Sequence, residues 1–331
     1  MNQQKTENKF WNLFNPTDII TLIYILATAL YMTFGSARLQ DKSIHFLIRF
    51  CFIALIFTLI WLKQLFKNDP LLDFFRNFYP LAFLGFFYNE TDYFNNIFYG
   101  NFDWLLCNWE YNLFGCQPSI AFSKLLPQPW VNEIMNLGYF SFFPLILITC
   151  LVIYLKHRDR FEKSLFVIIS SFYIFYIIFS IFPTEGPQFY FPAKDTTLPE
   201  GYFFSYLIKI IHEMGEAPTG AFPSSHIGIS YILLYLAFTN SKKLFYSILP
   251  FILILSLSTV YLKAHYLVDV LGGLVSCPLF ILVSSLLFDV ISRLTEIKVP
   301  FHIHYPNTSW WISQKKTSPV KERTGRFRKK M

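Results

Sequence analysis

The sequence predicts an all-α integral membrane protein, a bundle of about six to eight transmembrane helices with an interfacial helix near its most reactive loops. Three observations carry this. The 331 residues are 54% hydrophobic and only 15% charged, whereas soluble domains carry about 25% charged residues. The apolar residues gather in runs of roughly 20, the length that crosses about 30 Å of hydrocarbon. The connections between runs alternate between short basic segments and segments of nearly balanced charge, as in a multi-pass protein.

The first apolar run covers Asp18 to Phe34 and the second Ile44 to Phe66. The polar segment Met1 to Asn15 lacks a cleavable signal pattern, so the first run reads as a retained anchor. A mixed stretch follows from Asn68 to Pro129. It holds a short apolar piece, Phe78 to Tyr88, flanked by Arg76 and Glu90. Ten residues are few for a span, so a short span, a re-entrant helix and an interfacial helix all fit. The remainder of the stretch, rich in Asn, Asp and aromatics, reads as an extramembrane loop. Further runs cover Ile134 to Tyr154, Ser164 to Ile181, Ser224 to Phe238, Leu244 to Tyr261, and Tyr266 to Ile291. Between the second and third of these, Phe203, Leu207, Ile210 and Ile211 recur at helical spacing in Tyr202 to Met214. That segment reads as a helix lying in the membrane plane, and its His212 reads as structural.

Lys156 to Arg160, Ser241 to Lys243 and the tail after Ile291 are basic, which places them in the cytoplasm. The loop Phe182 to Phe222 and the turn at Lys263 then share the opposite face. An N-terminus kept inside with Lys5 and Lys9 requires the Phe78 piece to cross, giving eight spans with both ends inside. Between Lys315 and Lys330 stand eight basic residues and one acid, Glu322, which equals the whole net charge of +7. The tail reads as a solvated cytoplasmic segment with some attraction to anionic lipid. No nucleic-acid partner is expected, because no fold elsewhere presents the tail to a duplex. Pro300 to Trp311 reads as interfacial. Of five cysteines, Cys51, Cys150 and Cys277 lie in apolar runs as small hydrophobes. Cys107 and Cys116 share one polar loop, where a disulfide is one option. No cysteine spacing suggests zinc.

Chemistry concentrates in two stretches, Phe222-Pro223-Ser224-Ser225-His226 and Lys263-Ala264-His265-Tyr266-Leu267-Val268-Asp269. Pro223 and Ser224 open a helix, whose first-turn N–H groups and dipole favour an anion, with His226 facing it. His265 and Asp269 are four apart and share a helix face. A carboxylate there fixes the imidazole tautomer and leaves the other nitrogen as nucleophile or base. An Asp inside an apolar run is costly and reads as functional by default. The bland alternatives are a capped helix start with an incidental histidine and a buried ion pair. Finding both stretches on one face, at the ends of adjacent spans, favours a shared site.

These residues resemble the type 2 phosphatidic acid phosphatase superfamily, which also holds vanadium haloperoxidases and lipid phosphotransferases. Its pattern has a basic segment ending in Arg-Pro, then P-S-G-H, then S-R and, after five residues, H-x-x-x-D. Pro223-Ser224-Ser225-His226 matches the second part, with Ser225 for glycine. Ser258, His265 and Asp269 match the third. The resemblance covers about Phe182 to Leu274. It implies that His265 attacks phosphorus, that Asp269 orients it, and that His226 protonates the leaving oxygen. It further implies that Ser224, Ser225 and nearby N–H groups hold the phosphate oxygens, with no metal or cofactor. The chain departs from the pattern at two arginines. Thr259 replaces one, and Gln188, in Pro183-Thr184-Glu185-Gly186-Pro187-Gln188, stands where another is expected. Lys263 and Lys194 are the candidate substitutes. Sphingolipid-type phosphotransferases (inositol phosphorylceramide and sphingomyelin synthases) tolerate a non-arginine here and carry similar H-Y-x-x-D sequences.

The expected organisation is an N-terminal cytoplasmic segment and two spans (1–67), a short helix and non-cytoplasmic loop (68–130), a phosphatase-like transmembrane core (131–292) and a basic cytoplasmic tail (293–331). The expected function is a membrane-embedded lipid-phosphate phosphatase in the cell's inner membrane, its site on the non-cytoplasmic face. A lipid phosphotransferase and a catalytically decayed lipid-binding relative are the alternatives. A transporter is disfavoured, because polar residues do not line several mid-membrane positions. Oligomeric state stays open.

Overall fold

The computed structural model describes residues 13–35, 39, 41–215 and 217–295. Met1 to Asn12, the basic tail, Pro300 to Trp311 and the side chain of His212 lie outside the described residues. Every regular element among the described residues is a helix. In chain order these are α1 (Pro16–Phe34), α2 (Lys42–Leu65), α3 (Pro70–Phe94), α4 (Asp103–Phe114), α5 (Pro118–Leu125), α6 (Pro129–Phe140), α7 (Phe142–Lys156), α8 (Arg158–Ile181), two single turns α9 (Pro187–Tyr190) and α10 (Ala193–Thr196), α11 (Phe203–Gly215), α12 (Ser225–Asn240), α13 (Lys242–Tyr261) and α14 (Leu267–Leu294).

Local chemistry sets the helix starts. Proline opens α1, α3, α5 and α6, where its fixed φ suits the first turn and its missing N–H has no helical partner to lose. Asp69, Ser224 and Ser241 cap α3, α12 and α13 by accepting from the N–H groups of Leu72, Ile227 and Leu244.

Six helical segments among the described residues are long and apolar enough to cross a membrane: α1, α2, the nearly continuous pair α6–α7 (Pro129–Lys156), α8, α13 and α14. The protein is therefore a multi-pass membrane bundle. α8 is the most enclosed span and packs against α1, α3, α7, α12 and α14. α12 has 16 residues and α3 has 25, the latter about 37 Å long at 1.5 Å per residue. Both pack within the bundle against α8. Counting them as spans gives the eight crossings that the loop charges require.

The short piece Phe78 to Tyr88 is the middle of α3, not a helix bounded by its charged neighbours. Charges end an apolar run in sequence, but here each finds a partner inside the bundle. Arg76 pairs with Asp18 of α1, which also accepts from Tyr79 Oη at 2.6 Å. Glu90 pairs with Arg49 and with His45 Nδ1 of α2. Pairing and hydrogen bonding remove most of the cost of burying a charge, so the helix continues through both residues. Cys107 and Cys116 are free thiols, and the Cys107 Sγ lies 3.6 Å from Tyr266 Oη; the disulfide option is not realised.

The helix expected to lie in the membrane plane is α11, packed on α6. Ile211 of the predicted stripe packs against the core and Ile208 beside it is buried, whereas Phe203 is 63% exposed. Glu133 of α6 holds its start, accepting from the N–H groups of Tyr202 (2.7 Å), Phe204 (2.6 Å) and Ser205 (3.3 Å).

Candidate active site

One end of the bundle gathers the loop 182–224, the turn between α13 and α14, and helices α4 and α5. Segment 183–188 is laced between its neighbours. Ala221 N donates to the Thr184 carbonyl (3.2 Å), Phe222 N to Thr184 Oγ1 (2.9 Å), and Gln188 N to the Lys263 carbonyl (2.9 Å). Gly186 has φ +92°, and a Cβ there would lie 2.7 Å from the Ala264 carbonyl. Only glycine allows both the left-handed conformation and that approach.

The two histidines meet at this end. His226 Nδ1 and His265 Nε2 are 3.1 Å apart. His265 Nδ1 lies 2.8 Å from the Ala221 carbonyl and 3.4 Å from Asp269 Oδ2. Both neighbours are acceptors, so Nδ1 carries the proton and the Nε2 lone pair faces His226. The sequence assigns the orienting role to Asp269 alone; here the shorter contact belongs to a backbone carbonyl. Asp269 Oδ2 also accepts from Tyr266 N at 2.7 Å, closing the first turn of α14. The His226 ring is flanked by Tyr139 and Phe142, with centroids 4.8 and 4.4 Å away.

A small cavity opens over the pair, walled by Tyr88, Tyr139, Glu185, Gln188, Ser225, Ala217, Thr219, Gly220 and Ala221. Of the residues expected to hold phosphate oxygens, Ser225 and Gln188 line this cavity. Ser224 is fully buried beside it as the α12 cap, and its N–H donates to the Asp269 carbonyl at 3.0 Å. Thr259 is buried beneath: its Oγ1 donates to the Ser256 carbonyl (3.1 Å), and its own carbonyl accepts from His265 N (3.0 Å). Lys263, at φ +64°, is not among the lining residues. Its Nζ donates to Ser123 Oγ of α5 at 2.7 Å, fully buried. Burial, with the charge of Lys124 adding, pushes that ammonium down to about 8. Lys194 is exposed on α10 and also absent from the lining. Among the described lining residues there is no Lys or Arg and one carboxylate, Glu185.

Two carboxylates of α4, seven residues apart on one face, escape sequence reasoning. Asp103 Oδ2 accepts from Glu185 N (2.7 Å), and Oδ1 accepts from Gly186 N (2.8 Å) and Tyr266 Oη (2.9 Å). Glu110 Oε1 accepts from Val268 N (3.1 Å) at the start of α14. The readable signal is an acidic pair at helical spacing between Trp104, Leu105, Leu106 and Trp109, in a stretch whose composition suggests a loop. Burial, with the charge of Asp269 adding, pushes Glu110 up to about 7, against hydrogen bonds from Val268 and Leu267 N–H.

An unfolded glutamate titrates near 4.3, so between about pH 4.5 and 7 the folded protein binds more protons than the unfolded chain. Stability then falls as pH rises through that window and levels above it. Glu110→Gln is expected to flatten this part of the thermal-unfolding profile in detergent. An unchanged slope between parent and variant would assign the titration to another group.

Comparison with known families gives a match that spans the site. The PAP2 superfamily profile matches residues 105–283, more than half of the chain and inclusive of both histidines. No curated protein and no solved structure matches.

Proposed function

The chain belongs to the PAP2 superfamily, and on that premise we propose that it is a lipid-phosphate phosphatase working through a phosphohistidine on His265. The observation that carries this is the 3.1 Å approach of His226 Nδ1 to His265 Nε2, with His265 Nδ1 already committed to acceptors. Nitrogens 3.1 Å apart leave no room for phosphorus between them, so a phosphate entering from the cavity displaces this contact; it then meets the His265 lone pair, with His226 beside the leaving oxygen as proton carrier. His265 Nε2 attacks phosphorus, the bond from phosphorus to the lipid oxygen breaks, and His226 gives that oxygen its proton. His226 then takes a proton from water, the oxygen of that water attacks phosphorus, and the N–P bond breaks to release phosphate.

Ser225, Gln188 and the first turn of α12 are the groups available to hold the phosphate oxygens. The basic connections Arg158–Lys163 and Lys242–Lys243 lie at the other end of the bundle, which supports a site on the non-cytoplasmic side. A second reading, transfer to a lipid hydroxyl in place of water, draws on the cavity charge. With Glu185 in the lining and no described cation there, a singly charged phosphodiester enters at lower electrostatic cost than a doubly charged monoester.

Protein purified in detergent with a chelator is expected to release phosphate from phosphatidic acid or a prenyl diphosphate. A new phospholipid formed when a long-chain alcohol or diacylglycerol is supplied would identify transfer. No phosphate and no new phospholipid across such a panel would reject both readings in favour of a decayed, lipid-binding relative.

A further inference from the structure

Most glycines within these helices answer to packing. A Cβ on Gly138, Gly228 or Gly273 would come within 2.4 Å of Ser258 Oγ, 2.3 Å of the Phe175 ring and 2.6 Å of the Ser224 carbonyl. Gly85, in the middle of α3, does not: a Cβ there meets nothing within 4 Å. A glycine inside a helix costs about 1 kcal/mol relative to alanine, so neither the backbone nor the neighbours account for it.

What Gly85 borders is a groove of about 530 Å³ between α3 and α6–α7, walled almost wholly by apolar side chains. Its α3 wall runs from Tyr88 through Gly85 to Leu81, about 10 Å along the helix axis with Gly85 about 4.5 Å below Tyr88. On the other side, Phe143 and Leu147 line it and are 45% and 46% exposed, so the groove opens on the flank of the bundle. At its other end the groove runs into the catalytic cavity: Tyr88, Tyr139, Ser225 and His226 line both. A molecule with its phosphate against the two histidines and an apolar chain attached to the leaving oxygen has this groove as its continuation.

We infer that the groove is the channel for one apolar chain of the substrate lipid and that Gly85, by leaving its middle unfilled, sets which chains are accepted. This rests on reading the cavity as a phosphoryl-transfer site. An alanine fills little of the channel. A leucine places a branched side chain across it about 4.5 Å along the axis from Tyr88, a point that an acyl chain must pass and a chainless phosphate ester does not reach. Apolar pockets discriminate by about 10- to 200-fold per methylene-sized change.

The test compares dipalmitoyl phosphatidic acid in mixed micelles with glycerol 3-phosphate, which keeps the leaving oxygen and has no chain. The ratio of kcat/KM, chain-bearing over chainless, is expected to fall at least about tenfold in Gly85→Leu and much less in Gly85→Ala. Equal losses on both substrates, or an unchanged ratio, would overturn the inference. A second measurement needs neither turnover nor the variant's full activity. Phosphatidic acid carrying a diazirine at the chain end should photolabel α3 around Leu81 and α7 around Leu147 in the parent and lose that label in Gly85→Leu. Label confined to outer faces of the bundle would also overturn it. Groove labelling without phosphate release from any lipid would reject the catalytic reading while leaving the channel in place.

Discussion

His265→Ala is expected to lower phosphate release by at least about 10³-fold, the scale on which loss of a covalent nucleophile acts, with the protein still folded. The imidazole sits 2.8 Å from the Ala221 carbonyl, 3.4 Å from Asp269 and 3.1 Å from His226 Nδ1, so its removal takes a partner from two acceptors and from the half-buried His226 ring, which lines the cavity. Besides His226, the described lining offers hydroxyls, the Gln188 amide and the Glu185 carboxylate, all weaker nucleophiles than a neutral imidazole lone pair. His226→Ala separates the two roles. If His226 supplies the proton to the leaving oxygen, its loss matters less when that oxygen leaves readily. The His226→Ala deficit should therefore shrink on para-nitrophenyl phosphate relative to phosphatidic acid, while the His265→Ala deficit should not. Equal recovery of both variants on the activated ester, measured by initial rates at saturating substrate, would contradict the assignment of nucleophile and acid.

What the sequence makes legible follows from how local each feature is. The apolar runs and the Pro223-Ser224 helix start are each contained within one element, and the structure keeps them; His265, expected on one helix face with Asp269, instead lies in the turn before α14, and the carboxylate comes within 3.4 Å of its Nδ1 across the helix start. The readings that change depend on partners far along the chain. Arg76 and Glu90 look like helix boundaries until Asp18 and Arg49 neutralise them across the bundle. Lys263 looks like a replacement for a lost arginine because a lysine still supplies a point charge. The left-handed turn at Lys263 instead accompanies a side chain bonded to Ser123, 140 residues away. The orienting carbonyl of Ala221 carries no side-chain signature at all. Gly85 is visible as a letter, but its meaning needs the empty space beside it.

Asp103→Ala is the second large effect expected, and its size comes from counting donors. The side chain is fully buried and accepts from Glu185 N, Gly186 N and Tyr266 Oη. Each buried donor left without an acceptor costs about 1–3 kcal/mol, so truncation should destabilise the protein by several kcal/mol. The loss also reaches the chemistry, because Asp103 holds both flanks of His265. Gly186 stacks on the Ala264 carbonyl just before it, and Tyr266 follows it in the chain. A displacement of about 1 Å at a reacting group costs about 10²-fold. Asp103→Asn separates stability from positioning. Its amide oxygen can still accept from Gly186 N and Tyr266 Oη, but its NH₂ then faces the Glu185 N–H, donor against donor. Asp103→Asn should therefore unfold at a temperature between parent and Asp103→Ala and show a lowered kcat with KM nearly unchanged. That split marks a residue acting through His265 rather than on the lipid. A raised KM with normal kcat would instead place Asp103 in substrate binding, by way of the Glu185 and Gln188 wall that it anchors.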